Sequence, residues 1–254
     1  MILAVDVGNT QTVLGLFRDH VLDTHWRISS NPALTSDELR VKIGGLLQAS
    51  GWEWSQVERI VISSVVPRLT SAYEELSQRA TGQAPMVVGP GLKTGMAIKY
   101  GNPHEVGADR IVNGVAAFEQ HGGPVVIVDF GTATTIDVVD GSGAYLGGAI
   151  APGLETSAEA LFSKAARLSK VDLEAPGRTI GQSTRESVQV GLLLGQACMI
   201  DGLVRRVWDE LGTHTSVVMT GGLATLMAPL CETTTAVDPD LTLKGLILIY
   251  DRNI

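Results

Sequence analysis

The chain has 254 residues, 44% of them hydrophobic and only 18% charged, with a formal net charge of −8. That balance excludes a disordered tail, and the lack of any Lys/Arg run excludes a basic nucleic-acid-binding surface. Met1 to Asp6 lacks the basic start of a signal peptide, and no run approaches the ~18 uninterrupted apolar residues of a membrane span. The expectation is a cytoplasmic protein in two compact halves, needing neither nucleic acid nor membrane. Its only cysteines, Cys198 and Cys231, lack metal-ligand spacing and read as reduced, buried thiols.

In chain order, Ile2 to Val13 (ILAVDVGNTQTV) is an apolar run, an Asp, a glycine two residues on, then hydroxyl and amide residues. Ser36-Asp37-Glu38 opens a helix with Leu39, Ile43, Leu46 and Leu47 on one face, ended by Gly51. Val57 to Val66 reads as a buried strand, Pro67 as a helix start, and Met86 to Val88 as a short strand. Trp52 and Trp54 flank Glu53 in a surface loop or a partner contact. Asp109 opens a helix, with Ile111, Val112, Val115 and Phe118 at helical spacing.

Val125 to Ile136 (VVIVDFGTATTI) repeats the opening pattern. Aligning Asp6 with Asp129 matches Val5 with Val128, Gly8 with Gly131 and Thr12 with Thr135, at an offset close to half the chain. Val125 to Asp129, Thr134 to Val139 and Ala144 to Ile150 read as consecutive strands, with a turn at Asp140-Gly141-Ser142-Gly143. A long helix follows Ser183, which with Glu186 fits a capping box. Gly191 and Gly195 in that helix mark a close helix–helix approach, in the core or at a dimer interface. The strand Ser216 to Met219 and a Leu/Ile-rich helix from Leu241 complete the chain. Strands followed by helices in each half predict two α/β domains, 1–118 and 119–254, with a cleft between them.

Glycine after Asp6 lets backbone approach phosphate oxygens, Asn9 and Thr10 offer neutral donors, and Asp6 can hold Mg²⁺; an ordinary hairpin is the alternative. The Asp129 to Thr135 loop strengthens the first reading, because two such loops can grip a triphosphate from both sides. Thr220-Gly221-Gly222 suits adenine or ribose, or is a plain strand–helix turn. Asp109 at a helix N-terminus stays ionised, as a base must, or merely complements the helix dipole. Arg110 either holds a carboxylate by a two-point contact or solvates the helix surface. Capping explains Ser183 and leaves Thr184 available for a ligand. The five histidines are scattered, which argues against a metal or nucleophile role; His104 reads as structural or solvent-facing.

The two Asp loops, Tyr100-Gly101-Asn102-Pro103, Gly107-Ala108-Asp109-Arg110 and Gly147-Gly148-Ala149-Ile150-Ala151-Pro152-Gly153 together resemble the acetate and sugar kinase, Hsp70 and actin superfamily. Within it the resemblance is to type III pantothenate kinases. It implies two ribonuclease H-like α/β domains of the actin-like ATPase fold. It also implies phosphorylation of pantothenate by ATP with Mg²⁺, the first step of coenzyme A biosynthesis, by a homodimer.

Residue by residue, Asp6, Val7, Gly8, Asn9, Thr10, Gln11, Thr12, Val13 and Thr132 are similar to the ATP-binding set. Tyr100, Gly107, Ala108, Asp109, Arg110 and Thr184 are similar to the substrate set, with Asp109 the proton acceptor. Asp129 resembles the ligand of an activating monovalent cation, K⁺ or NH₄⁺. Gly101 departs from the Asp of many relatives. The rival readings are a kinase for another small alcohol, such as a sugar, and a nucleotide-binding regulatory accessory protein of the same fold.

Overall fold

The computed structural model describes residues 1–165, 168 and 170–254. The strands are β1 Ile2–Val7, β2 Gln11–Arg18, β3 Val21–Ser29, β4 Arg59–Ser64, β5 Met86–Val87, β6 Val125–Phe130, β7 Ala133–Val139, β8 Tyr145–Pro152, β9 Ser216–Gly221 and β10 Ala236–Val237. The helices are α1 Ser36–Ala49, α2 Pro67–Thr81, α3 Ala108–His121, α4 Leu154–Lys164, α5 Thr184–Gln189, α6 Gly195–Leu211, α7 Ala224–Met227 and α8 Leu241–Asp251. Two units result. Met1–Met96, Gly101–Ala116 and Leu241–Ile254 form the first, and Ala97–Tyr100 with Ala117–Asp240 form the second. The chain thus passes to the second unit inside α3, close to the expected 118/119 boundary, but its last segment returns to the first.

The first unit is a five-stranded sheet in the order β3-β2-β1-β4-β5, with β1 antiparallel to β2 and parallel to β4. Alternation along β1 puts Leu3, Val5 and Val7 on one face, where they pack with Leu39, Ile43 and Leu47 of α1 and Leu69, Tyr73 and Leu76 of α2. α1 opens at Ser36 as expected, capped by Thr35: its hydroxyl accepts the Glu38 N–H at 3.3 Å, and the Glu38 carboxylate accepts the Thr35 N–H at 2.9 Å. Such a cap contributes about 1 kcal/mol. Pro67 stands at the start of α2, and Gly82 ends it in the left-handed region at φ 73°. Trp52 and Trp54 pack, partly buried, against this unit's own core. Trp52 donates to Asp23 at 3.1 Å beneath the Arg18 guanidinium, and Trp54 donates to the Arg40 carbonyl at 3.3 Å.

The second unit repeats the plan as β8-β7-β6-β9-β10, with β6 antiparallel to β7 and parallel to β9. Asp6 and Asp129 are both the next-to-last residue of their central strand. The repeat slips after the loop, however. Val7 pairs with Thr12, but Phe130 pairs with Thr134, so the second connection is one residue shorter and Thr134, not Thr135, is the counterpart of Thr12. Both of these threonines are buried.

Thr184 to Leu211 runs as α5, a π-helical turn at Val190–Leu194, and α6. By length and composition this helix is long and apolar enough to cross a membrane. Here Leu193, Ala197, Ile200 and Val204 pack against Val126, Val128, Val217 and Met219 of the sheet. Its buried Asp201 accepts the N–H groups of Glu232 and Thr233 at 2.9 and 3.0 Å, a paired charge suited to a protein core. Ser183 caps the helix by accepting the Glu186 N–H at 3.2 Å. The expected box is only half made, because the Glu186 carboxylate accepts the Gln182 N–H instead. The thiols correct their expectation in part: Cys231 is buried and pushed up to about 12 by desolvation, whereas Cys198 is exposed.

Candidate active site

The β1–β2 connection is a tight loop closed by the Gly8 N–H on the Gln11 carbonyl at 3.1 Å. Val7 and Thr12 are buried, while Asn9, Thr10 and Gln11 are exposed at the tip. Val13 is half-buried and pairs with Asp6 across the hairpin. Ser30, which sequence reasoning missed, holds the loop from the far end of β3. Its N–H donates to the Thr10 carbonyl at 2.9 Å and its hydroxyl to the Gly8 carbonyl at 2.6 Å; the same hydroxyl meets Thr12 Oγ1 at 2.9 Å. No local pattern around Ser30 signals this, because β3 brings it back by strand pairing alone.

The second loop is built alike. The Gly131 N–H closes on the Ala133 carbonyl at 3.0 Å. The Thr132 carbonyl is fixed by the Gly153 N–H at 3.1 Å and by the Thr156 hydroxyl at 2.7 Å. Thr132 itself is exposed, and Asp129 is half-buried at the loop's entrance. Gly221 has φ 90°, and a β-carbon there would collide with the Asp129 carboxylate and the Phe130 backbone. Close packing on the second loop therefore accounts for that glycine. Beside it, Thr220 is paired with Asp129 in the β6–β9 register, and its buried hydroxyl has no protein hydrogen-bond partner among the described residues.

Gly107 to Arg110 lead into α3. Asp109 is half-buried, and its Oδ1 accepts the Arg110 N–H at 2.8 Å, which anchors the carboxylate at the helix start. Arg110 is only 7% exposed, which overturns the reading that it solvates the helix surface. His104 lies exposed in the preceding Pro103–Glu105 turn. Thr184 is exposed as the first residue of α5, at the rim of a cavity of about 890 Å³ that Ser157, Leu161, Gln182, Ser187 and Leu192 also line. Gly191 borders the same cavity. Among the described residues, a β-carbon at Gly191 or Gly195 would meet nothing within 4 Å, so neither serves close helix–helix packing there. Tyr100 is 39% exposed, its ring 6.3 Å from that of Tyr145.

Each unit thus carries part of each expected set. The first has Asp6 to Val13 and Gly107 to Arg110; the second has Tyr100, Asp129, Thr132 and Thr184. Among the described residues no cluster of three or more His, Cys, Asp or Glu forms a metal cage. Single carboxylates at the loop entrances fit hard cations that take the rest of their oxygen ligands from phosphates and water.

Residues 2–206 match the family model described as type III pantothenate kinase. A type III pantothenate kinase of Moorella thermoacetica is 47% identical over 100% of both chains. Another, from Myxococcus xanthus, is 49% identical over 100% of this chain and 99% of its own. Among solved structures, a Campylobacter jejuni protein described as a Baf family transcriptional activator superposes with a TM-score of 0.62. It is 21% identical, with 98% of this chain and 97% of that one covered, a likeness of fold.

Proposed function

The chain belongs to the type III pantothenate kinase family, and from that premise we propose that it transfers the γ-phosphoryl group of ATP to the primary alcohol of pantothenate, with a divalent metal. This is the opening step of coenzyme A biosynthesis, carried out in the cytoplasm. The observation that carries the reading is the pair of glycine-containing hairpin loops, each led by a carboxylate and each pinned by a hydroxyl, Ser30 in one and Thr156 in the other.

Asp6 to Val13 and Thr132 bind the nucleotide, chiefly through backbone groups and the exposed Asn9, Thr10, Gln11 and Thr132. Asp6 would hold Mg²⁺, and Asp129 a monovalent cation, K⁺ or NH₄⁺. The chemistry such cations would supply there is neutralisation of charge on the phosphates. Tyr100, Gly107, Ala108, Arg110 and Thr184 bind pantothenate, with Arg110 suited to its carboxylate by a two-point contact. Asp109 accepts the hydroxyl proton from its anchored place at the helix start. The exposed Gly191 and Gly195 beside the Thr184 cavity support a homodimer formed on that helix face.

The test is ADP release by the purified protein with and without pantothenate, in K⁺ and in Na⁺ buffer. Release that needs pantothenate and rises in K⁺ is expected. Release independent of pantothenate would overturn the acceptor, and equal rates in both salts would overturn the role of Asp129.

A further inference from the structure

Tyr100 rests on a glycine. The segment Ala97–Tyr100 lies against the start of β8. The Lys99 N–H donates to the Tyr145 carbonyl at 2.8 Å, and the Tyr145 N–H donates to the Ala97 carbonyl at 2.8 Å. The Lys99 ammonium reaches Asp140 at 2.8 Å and fixes the same segment to the β7–β8 turn. Tyr145 is fully buried, and its phenol donates at 2.7 Å to Asp137, which is fully buried too. The other Asp137 oxygen accepts the Thr135 hydroxyl at 2.9 Å. A buried carboxylate bonded in this way locks the Tyr145 ring, which lies tilted by 56° against the Tyr100 ring.

Just beyond, the β7–β8 register shifts around Leu146, a bulge that redirects the strand. It leaves Gly147 at φ 121°, in a region that side-chain-bearing residues rarely adopt. A β-carbon on Gly147 would stand 3.2 Å from both Cδ2 and Cε2 of Tyr100, tighter than ordinary van der Waals contact. The Tyr100 ring therefore packs on bare backbone and beside the Tyr145 ring, with 39% of the residue exposed.

We propose that Gly147, backed by the Tyr145–Asp137 pair, is a positioning residue for the acceptor substrate: it sets the height and tilt of the Tyr100 ring against which pantothenate binds. The inference rests on the reading of Tyr100 as a substrate contact. A side chain at Gly147 lifts the ring by a few tenths of an ångström. That is less than the 1 Å misplacement that can cost ~10²-fold, so a loss of about tenfold is expected.

The test is a double-mutant cycle on the intact protein with Gly147→Ala and Tyr100→Ala, reading the KM for pantothenate and for ATP separately. Gly147→Ala should raise the pantothenate KM about tenfold and leave the ATP KM unchanged. In the Tyr100→Ala background its effect on the pantothenate KM should fall well below tenfold, leaving only what the backbone strain at φ 121° contributes. An equal rise in both backgrounds overturns the inference, since Gly147 would then act without Tyr100. A parental pantothenate KM in Tyr100→Ala alone overturns the substrate role of Tyr100 itself, and this inference with it. Should Gly147→Ala fail to fold, Tyr145→Phe keeps the backbone and removes the bond to Asp137. A selective rise in pantothenate KM supports the assignment, and a parental value refutes it.

Discussion

Replacing Ser30 by alanine deletes one hydroxyl and two hydrogen bonds, to the Gly8 carbonyl at 2.6 Å and to Thr12 at 2.9 Å, while the backbone bond from Ser30 to Thr10 survives. At about 0.5–1.5 kcal/mol net per bond, the gross loss is roughly 1–3 kcal/mol. Gly8 is half-buried, so water can partly satisfy its freed carbonyl, whereas the Thr12 hydroxyl is sealed in. A figure near 1.4 kcal/mol follows, equivalent to about tenfold in an equilibrium constant. If Ser30 holds the nucleotide loop, that loss should appear as an ATP KM raised about 5–10-fold, with the pantothenate KM unchanged. Steady-state kinetics with each substrate varied in turn reads both values. Ser30→Thr, which keeps the hydroxyl, should restore the ATP KM. A Ser30→Ala enzyme with parental ATP KM but a lowered melting temperature would refute the reasoning and leave Ser30 a purely structural residue.

Asp109→Asn keeps the shape of the helix start but cannot take a proton. It should lower kcat by about 10²–10⁴-fold, towards the smaller figure because the transition state is loose, while ATP binding by calorimetry stays parental. Activity within a few-fold of the parent would remove Asp109 as the base. Thr220→Val replaces a buried hydroxyl that lacks a protein partner with an isosteric methyl. Unfolding in urea should show a gain of about 1 kcal/mol, and a lower midpoint would contradict the accounting. The Lys99 ammonium first, then Ser142 and Ala144, hold the Asp140 carboxyl well below the usual carboxylate range. A depressed folded-state value stabilises the protein above the unfolded value of ~3.9 and loses that contribution as pH falls through the folded one. Asp140→Asn should thus destabilise at neutral pH, with the gap from the parent closing in acid below about pH 4; a gap independent of pH would be inconsistent.

The parts of the fold that local pattern encodes were legible. The strand–Asp–Gly repeat located both central strands, and Pro67 and Ser183 marked helix starts. The errors arose where chain neighbours do not decide. An ungapped alignment sets Thr12 against Thr135 and cannot register a loop shortened by one residue, which the hydrogen-bond ladder shows. Glu186 fits a capping box by spacing, but the approach of the chain presents the Gln182 N–H to its carboxylate. The loop residues around Asp6 and Asp129 were legible from composition. The hydroxyls that fix those loops were not, since Ser30 and Thr156 arrive by strand and helix packing from 22 and 24 residues away. In the sequence Gly147 is only one member of a glycine-rich run. Its use becomes visible once the bulge and the Tyr100 ring stand together.

The return of α8 to the first unit makes that unit wait, during synthesis, until α8 has been made. Leu243 packs at Gly15, Gly245 packs at Val112, and Asn253 bonds Lys93. One face of the first unit's sheet thus lacks its cover until α8 emerges from the ribosome. At about 5–20 residues per second the delay is on the order of ten seconds, during which the nascent chain carries an uncovered apolar sheet face. The second unit's main stretch, Ala117–Asp240, is continuous and emerges before α8. The order of maturation therefore opposes the order of synthesis, and the half that is made first is sealed last.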